Sequence, residues 1–363
     1  MPPSSVPETS VLLDLSSDVA TLTAAICDIP SVSWEEAPLA DAIEVALRGL
    51  PHLEVVRDGN AVIARTSLGR DERVILAGHI DTVPIAAEPN VPTRREAGVL
   101  WGRGTVDMKG GVAVMLKVAA QVLEPARDLT FVFYDCEEIE GRYNGLGRIA
   151  ANHPDLLAGD FAVLLEPTDG VVEGGCKGTL RVDVTTRGVA AHSARPWKGH
   201  NAIHDAVQVL SRLGAYEPEQ VDVDGLVFTE ALQAVGISGG IAGNVIPDRC
   251  TVTVNYRFAP DKDVAAAYAH VLQVFDGFEC ELGDAVDGAR PGLHLPSARA
   301  FVEALGLPVN PKEGWTDVAR FSALGIPAVN FGPGDPSLAH MDDERCPVVQ
   351  YEEAERALLR WLT

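Results

Sequence analysis

The sequence predicts an α/β fold: a mixed-sheet domain interrupted by a smaller α+β domain. Three observations predict it. In the first half, short apolar runs alternate with helical stretches, the pattern of a sheet covered on its faces. After Glu173 the texture changes, and "GTLRVDVTTRG" alternates with period two, as a half-exposed strand does. From about residue 290 the first texture returns. The second domain is therefore an insertion, which is tolerated because domain termini lie close together at the surface.

Taken in order, helices are expected at about 16–28 and 36–49, and strands near 53–57, 61–66 and 73–78. A glycine-led helix follows over about 110–123, then strands at about 129–135 and 161–165. The insertion reads as a strand, a helix (about 200–213), strands near 231–238 and 249–258, a helix (261–275) and a strand (278–284). That βαββαβ order is a two-layer, ferredoxin-like sandwich. Helices at about 297–305 and 316–324, a strand at 327–331 and a final helix at 350–362 complete the outer domain. The expected boundaries are 1–174 with 290–363 for the outer domain and 175–289 for the insertion.

At 363 residues the chain holds one large domain or two ordinary ones. No apolar run approaches the roughly 18 residues of a membrane span. The opening "MPPSSVPETS" has neither the basic nor the apolar region of a signal peptide, so a cytoplasmic location is expected. The net charge of -23 argues against nucleic acid and anionic membranes as partners. It also requires that an anionic small molecule be met by locally placed Arg or Lys. Cys27, Cys136, Cys176, Cys250, Cys280 and Cys346 contain no Cys-x-x-Cys pair. They read as buried reduced thiols, not as a zinc ribbon or a disulfide scaffold.

Five segments share one pattern, an apolar run that stops at His, Asp or Glu: "VILAGHIDTVP", "LWGRGTVDMKGG", "FVFYDCEEIEG", "FAVLLEPTDG" and "AVNFGPGDPSLAHMDDE". A lone acid after a strand is usually a turn residue or a helix cap. Five such ends on one sheet are hard to obtain from turns alone. In open α/β sheets the carboxyl ends of the strands form the ligand crevice, where His79, Asp81, Asp107, Glu137, Glu138, Glu166 and His340 could converge. His and carboxylate donors without thiolate suit zinc, with cobalt or manganese as substitutes. Two metals need about five or six ligands with one shared. His79, Asp107, Glu138, Glu166 and His340 make that count. Asp81 lies two residues from His79, on the same side of a strand, and could hold the second imidazole nitrogen.

At these residues the sequence resembles the zinc-dependent aminoacylase and metallopeptidase family. "GHIDTVP", "GRGTVDMKGG", "DCEEIEG", "LLEPT" and "GPG…AH" occur in the family's order and span nearly the whole chain. The family includes succinyl-diaminopimelate desuccinylase, acetylornithine deacetylase, carboxypeptidases and dipeptidases. The resemblance implies that His79 and Glu166 bind one zinc, that Glu138 and His340 bind the other, and that Asp107 bridges the two. It implies that Asp81 orients His79, that Glu137 is the general base, and that the Asp107–Met108 peptide is cis. It further implies that the outer domain is catalytic and that the insertion is a lid through which two copies form a homodimer.

The lid carries two informative stretches. In "RGVAAHSARPWKGHNAI", His192 by residue type alone is a core histidine, a turn residue or a catalytic group. The resemblance implies that it donates to the developing oxyanion, in its own or the partner subunit. In "GGIAGNVIPDRCTVTVNYRF", Arg257 interrupts an apolar strand. It either pairs with an acid such as Asp183 or meets a substrate carboxylate. The resemblance implies that Asn244 and Arg257 bind substrate. Lys177, Arg195 and Thr316, the last placed to cap a helix, are further candidates for binding an anion.

The implied activity is hydrolysis of a linear amide that removes an N-acyl group from a small amino acid. "GWTDVARFS", "HSARPWKGHNAI" and the chain length look most like the actinobacterial desuccinylases. N-succinyl-LL-2,6-diaminopimelate, an intermediate of lysine and diaminopimelate biosynthesis, is therefore the expected substrate. N-acetylornithine, or a wider range of N-acyl-amino acids and dipeptides, is the alternative. A metal-free scaffold homologue is disfavoured because all five ligands and the base are present.

Overall fold

A computed structural model describes residues 12–363, so the N-terminal stretch read above for signal-peptide features lies outside the described residues. The chain divides into two compact units. The first runs to Gly174 and takes in Gly292–Asn310 and Arg320–Thr363; the second comprises Gly175–Pro291 and Pro311–Ala319.

The first unit is built on an eight-stranded mixed sheet. Its order is Glu54–Asp58, Ala61–Arg65, Asp128–Tyr134, Arg73–His79, Phe161–Leu164, Ala328–Asn330, Val172–Gly174 and Val309–Pro311. Four neighbouring strands in the middle run parallel: Asp128–Tyr134, Arg73–His79, Phe161–Leu164 and Ala328–Asn330. Buried on both faces, they read as continuous apolar runs, and every residue of Asp128–Tyr134 is buried. The core packs Val74, Leu76, Phe131 and Phe133 against helix Lys109–Gln121 and the final helix Val348–Leu362.

Helix Lys109–Gln121 begins with two glycines because other parts of the chain press against it. A Cβ on Gly111 would lie 2.1 Å from the carbonyl oxygen of Leu165, and one on Gly110 would lie 2.5 Å from the Tyr351 ring. The close approach sets the helix start, with Asp107 just before it, against the turn that carries Glu166.

The second unit has a four-stranded antiparallel sheet in the order Ala231–Gly239, Arg249–Phe258, Gly178–Arg187, Glu279–Val286. Helices Ala202–Gly214 and Val264–Val274 begin at caps, where Asn201 accepts the Ile203 N–H at 2.9 Å and Asp263 the Ala266 N–H at 2.7 Å. Period-two alternation sorts the sheet. Leu180, Val182, Val252, Val254 and Tyr256 pack with Ala206, Val209 and Val271, while Thr179, Arg181, Asp183, Thr253, Asn255 and Arg257 alternate with them on the other face.

Three departures from expectation stand out. Pro311–Ala319, expected in the outer domain, belongs to the second unit. It is tied there by Lys177 to Glu313, by the Cys176 thiol to the Thr316 carbonyl, and by the Trp315 indole N–H to the Asp287 carbonyl at 3.1 Å. The helix expected over 316–324 is shorter, Val318–Ala323, and begins two residues after Thr316. Small pairings also went unseen, including the hairpin Gln220–Val223 with Leu226–Thr229, the ribbon of Ala191–His192 with Val245–Ile246, and strand Val99–Trp101 between Arg94–Glu96 and Arg345–Pro347. All six cysteines are free thiols, and Cys280 alone is not fully buried. Among the described residues no helix is long and apolar enough to cross a membrane.

Candidate active site

The parallel strands deliver the predicted residues to one edge of the sheet. His79 ends the strand Arg73–His79, Glu137 and Glu138 follow Asp128–Tyr134, Glu166 follows Phe161–Leu164, and His340 comes after Ala328–Asn330. Asp107 precedes helix Lys109–Gln121, and its peptide bond to Met108 is cis, as the resemblance implied.

Asp107 is where these side chains meet. Its Oδ1 lies 3.2 Å from His79 Nε2 and its Oδ2 3.3 Å from His340 Nε2. His340 Nε2 also lies 3.1 Å from Glu138 Oε2. Two triads share the aspartate: His79, Asp107 and Glu166, and Asp107, Glu138 and His340. Within each, one donor atom per residue lies within 4.8 Å of the others. Glu137 groups with His79 and Glu138 by the same measure.

The charges are strongly coupled. Burial opposes charge on His79, but bonds to Asp107 and Asp81 overcome it and raise the imidazole pKa well above its ordinary value. Bonds to Asp107 and Glu138 push His340 up to about 10. Burial would raise the Asp107 carboxyl, yet the two histidines hold it well below the carboxylate range.

Asp81 meets His79 Nδ1 through its backbone as well as its side chain. Its backbone carbonyl is the nearer acceptor for His79 Nδ1, at 3.0 Å, with carboxylate Oδ1 at 3.5 Å. A carbonyl can only accept, so Nδ1 carries a proton, and it is Nε2, beside Asp107, that would give up its proton and offer a lone pair to a cation. The Asp81 carboxylate also holds the neighbouring turn. Oδ1 accepts the Glu137 N–H and Oδ2 the Glu138 N–H, both at 3.0 Å, while the Ser33 hydroxyl donates to Oδ2 at 2.8 Å. Ser33 and Glu36, which holds Cys136 on the same turn, were not found from the sequence. Each lies far along the chain from its partner, and neither stands at a strand end.

The donor set fits a divalent metal. It offers imidazole and carboxylate without thiolate, and Glu138 Oε1 is buried with no hydrogen-bond partner among the described residues. A buried carboxylate oxygen left unpaired is costly unless a cation meets it.

The remaining predicted residues lie in the second unit. Its two-residue ribbon sets His192 opposite Val245, and the Ser193 N–H donates to the Asn244 carbonyl at 2.9 Å. The Ala194 N–H donates to His192 Nδ1 at 3.1 Å. Arg257 is half-buried; burial and then the nearby Arg181 lower its pKa. It donates to Asn255 Oδ1 at 3.2 Å and has no ion pair among the described residues, since Asp183 takes the Thr253 hydroxyl instead. Lys177 donates to the Thr229 carbonyl at 2.6 Å and pairs with Glu313. Arg195 is exposed, and Thr316 is buried.

Residues 75–363 match the description of peptidase family M20/M25/M40. The chain belongs to this family. Two relatives put it on one branch of M20/M25/M40. A Mycobacterium tuberculosis protein to which succinyl-diaminopimelate desuccinylase activity is ascribed is 56% identical over 354 residues, covering 97% of this chain and 99% of the relative. The succinyl-diaminopimelate desuccinylase of Corynebacterium glutamicum is 48% identical over 362 residues, covering 97% and 98%. An aminopeptidase from Bacillus cereus shares the fold, with a TM-score of 0.76 and 17% identity over 96% of this chain and 98% of its own. This M20/M25/M40 chain is a metal-dependent hydrolase of amide bonds, and divalent-metal binding comes with the family.

Proposed function

We propose that the protein hydrolyses N-succinyl-LL-2,6-diaminopimelate to succinate and LL-2,6-diaminopimelate, with two zinc ions as cofactor. The observation that carries the chemistry is the pair of triads sharing Asp107. The substrate follows from full-length likeness, at 56% and 48% identity, to the two desuccinylase relatives.

His79 and Glu166 would hold one zinc, Glu138 and His340 the other, with Asp107 between them. When bound, the pair polarises the amide carbonyl and makes water acidic enough to react at neutral pH. Glu137, left out of both triads, takes the proton of the attacking water and returns it to the departing amine. Asp81 steadies the base by accepting its backbone N–H. His192 donates from Nε2 to the developing oxyanion. Support comes from its tautomer, because a backbone N–H on Nδ1 leaves the neutral ring's proton on Nε2. Arg257, half-buried and without an acid partner among the described residues, suits a substrate carboxylate through a two-pronged contact. Asn244, Arg195 and Thr316 complete the proposed set, and Lys177 contributes less because Glu313 already engages it.

The protein is proposed to form a homodimer through the second unit. Helix residues Ile203, Val207 and Leu210 and strand residues Val235 and Ile237 are exposed apolar side chains. The strand, Ala231–Gly239, is an edge of its sheet. A Cβ on Gly239 would lie 3.0 Å from Ile203, so the helix reaches the end of this edge strand.

The deciding experiment compares kcat/KM of the zinc-loaded protein on N-succinyl-LL-2,6-diaminopimelate, N-acetylornithine and a dipeptide panel. A preference of roughly 100-fold or more for the succinyl substrate is expected. Faster turnover of N-acetylornithine or a dipeptide would reassign the acyl group, and no turnover of any would remove the enzymatic reading.

A further inference from the structure

Arg103 and Glu344 form an ion pair in the first unit that is almost wholly buried, at 3% and 1% exposure. Neither residue is a metal donor. Arg103 Nη1 donates to Glu344 Oε2 at 2.9 Å and to the Met341 carbonyl at 3.1 Å. Glu344 Oε1 accepts the backbone N–H of Val106 at 2.8 Å and that of Asp107 at 3.1 Å. The Gly102 N–H donates to the Glu344 carbonyl at 2.9 Å. Strand Arg345–Pro347 pairs with Val99–Trp101 just beyond these contacts.

The contacts end at two particular places. Asp107 is the shared member of both triads, and Met341 is the residue after His340. His340 itself sits at φ 65°, which L-residues rarely occupy, so neighbouring contacts must hold it. Stability alone is a poor account of the pair. A buried ion pair often stabilises no more than apolar side chains of the same size, and Arg103 Nε is buried without a partner among the described residues.

We propose that Arg103 and Glu344 are positioning residues that hold the Asp107 and His340 segments in register, so that the Asp107–Glu138–His340 triad is assembled as one unit. The inference rests on the metal-ligand reading above. It is specific in one respect: besides the backbone of Asp107, which both triads share, the pair touches the residue after His340, which belongs to one triad alone.

The test uses full-length protein stripped of metal and titrated with zinc by calorimetry, alongside metal-free Tm and kcat and KM on the succinyl substrate. Glu344→Gln keeps an acceptor for the two N–H groups but loses the charge pair, and Arg103→Met removes the link to Met341. Each should keep one tight zinc and bind the second roughly 10- to 100-fold more weakly. kcat should fall with KM little changed, and Arg103→Lys should recover part of the second-site affinity. If Arg103→Met does not fold, Glu344→Gln and Arg103→Lys carry the comparison. Two zincs bound as tightly by the variants as by the unsubstituted protein, with only the metal-free Tm lowered, would overturn the inference. If the unsubstituted protein took up fewer than two zincs, both the ligand reading and this inference would fall.

Discussion

Glu36 accepts the backbone N–H of Cys136 at 3.2 Å, and the Cys136 thiol donates to the same oxygen at 3.3 Å. Cys136 sits at φ 57°, a conformation that costs an L-residue of this kind about 1 kcal/mol or more. With the two bonds to Asp81, three consecutive N–H groups, from Cys136 to Glu138, end on buried carboxylates. The turn that carries Glu137, the proposed base, is therefore held by two buried acids. Glu36→Ala should lower kcat by about 10- to 100-fold, the cost of a small misplacement of a catalytic group. Zinc content should be preserved, because Asp81 still grips Glu138. Unchanged kcat in a folded variant would show that Asp81 alone suffices.

The adjacent Glu137 and Glu138 are predicted to fail in different ways. Glu137 lies outside both triads, whereas Glu138 lies 3.1 Å from His340 and has one buried oxygen without a partner among the described residues. Glu137→Gln should cut kcat by roughly 10²–10⁴-fold while two zincs per chain remain by elemental analysis. Glu138→Gln should lose about one zinc per chain. A loss of zinc from the Glu137 variant would mean that the two roles are exchanged.

How far the site was legible follows from the range of its contacts. His79, Glu138 and Glu166 were visible because each follows an apolar run that only a buried strand explains. Asp107 and His340 stand in loops several residues beyond their apolar runs, so the strand-end pattern brought them in more weakly, and the count of ligands and the family motifs reinforced them. Glu36 could not be found this way. It directly precedes helix Ala37–Arg48 and reads as an ordinary acid at a helix start, while its partner is 100 positions away. Glu344 was hidden likewise, within "MDDE", a stretch that reads as a solvated charge run. Burial of those carboxylates is a tertiary fact. The same limit explains Pro311–Ala319, whose place in the second unit depends on Lys177, Cys176 and Asp287, residues distant in sequence.

The proposed dimer makes a separable prediction. Val207 and Ile237 are 59% and 58% exposed, too apolar to favour water in a patch of five such residues. Val207→Glu combined with Ile237→Glu should give a monomer by sedimentation equilibrium where the unsubstituted chain gives a dimer. Tm should change little, since neither side chain belongs to the core of its unit. If both proteins sediment as monomers, the second unit does not dimerise, and the patch needs another explanation.

At the other end of the strand that Glu137 and Glu138 follow, Asp128 gives a test of the fold by pH. Its Oδ1 accepts the Thr66 hydroxyl at 2.7 Å and the Leu68 N–H at 2.8 Å, and Oδ2 accepts the Arg70 N–H at 2.9 Å. Burial works against ionisation here, but these bonds and Arg73 prevail and hold the carboxyl at about 2. The folded pKa is thus depressed below the unfolded one. Asp128 contributes its full stabilisation above the ordinary carboxylate range of about 4 and loses it as pH falls from there towards about 2. The shift corresponds to roughly 2 kcal/mol at neutral pH. In metal-free protein, Asp128→Asn should lower Tm by a few degrees at pH 7. The gap should narrow between about pH 4 and pH 2, where the unsubstituted carboxyl becomes protonated too. A Tm gap that stays constant across that range would mean that the asparagine disturbs packing and that the charge of Asp128 contributes nothing.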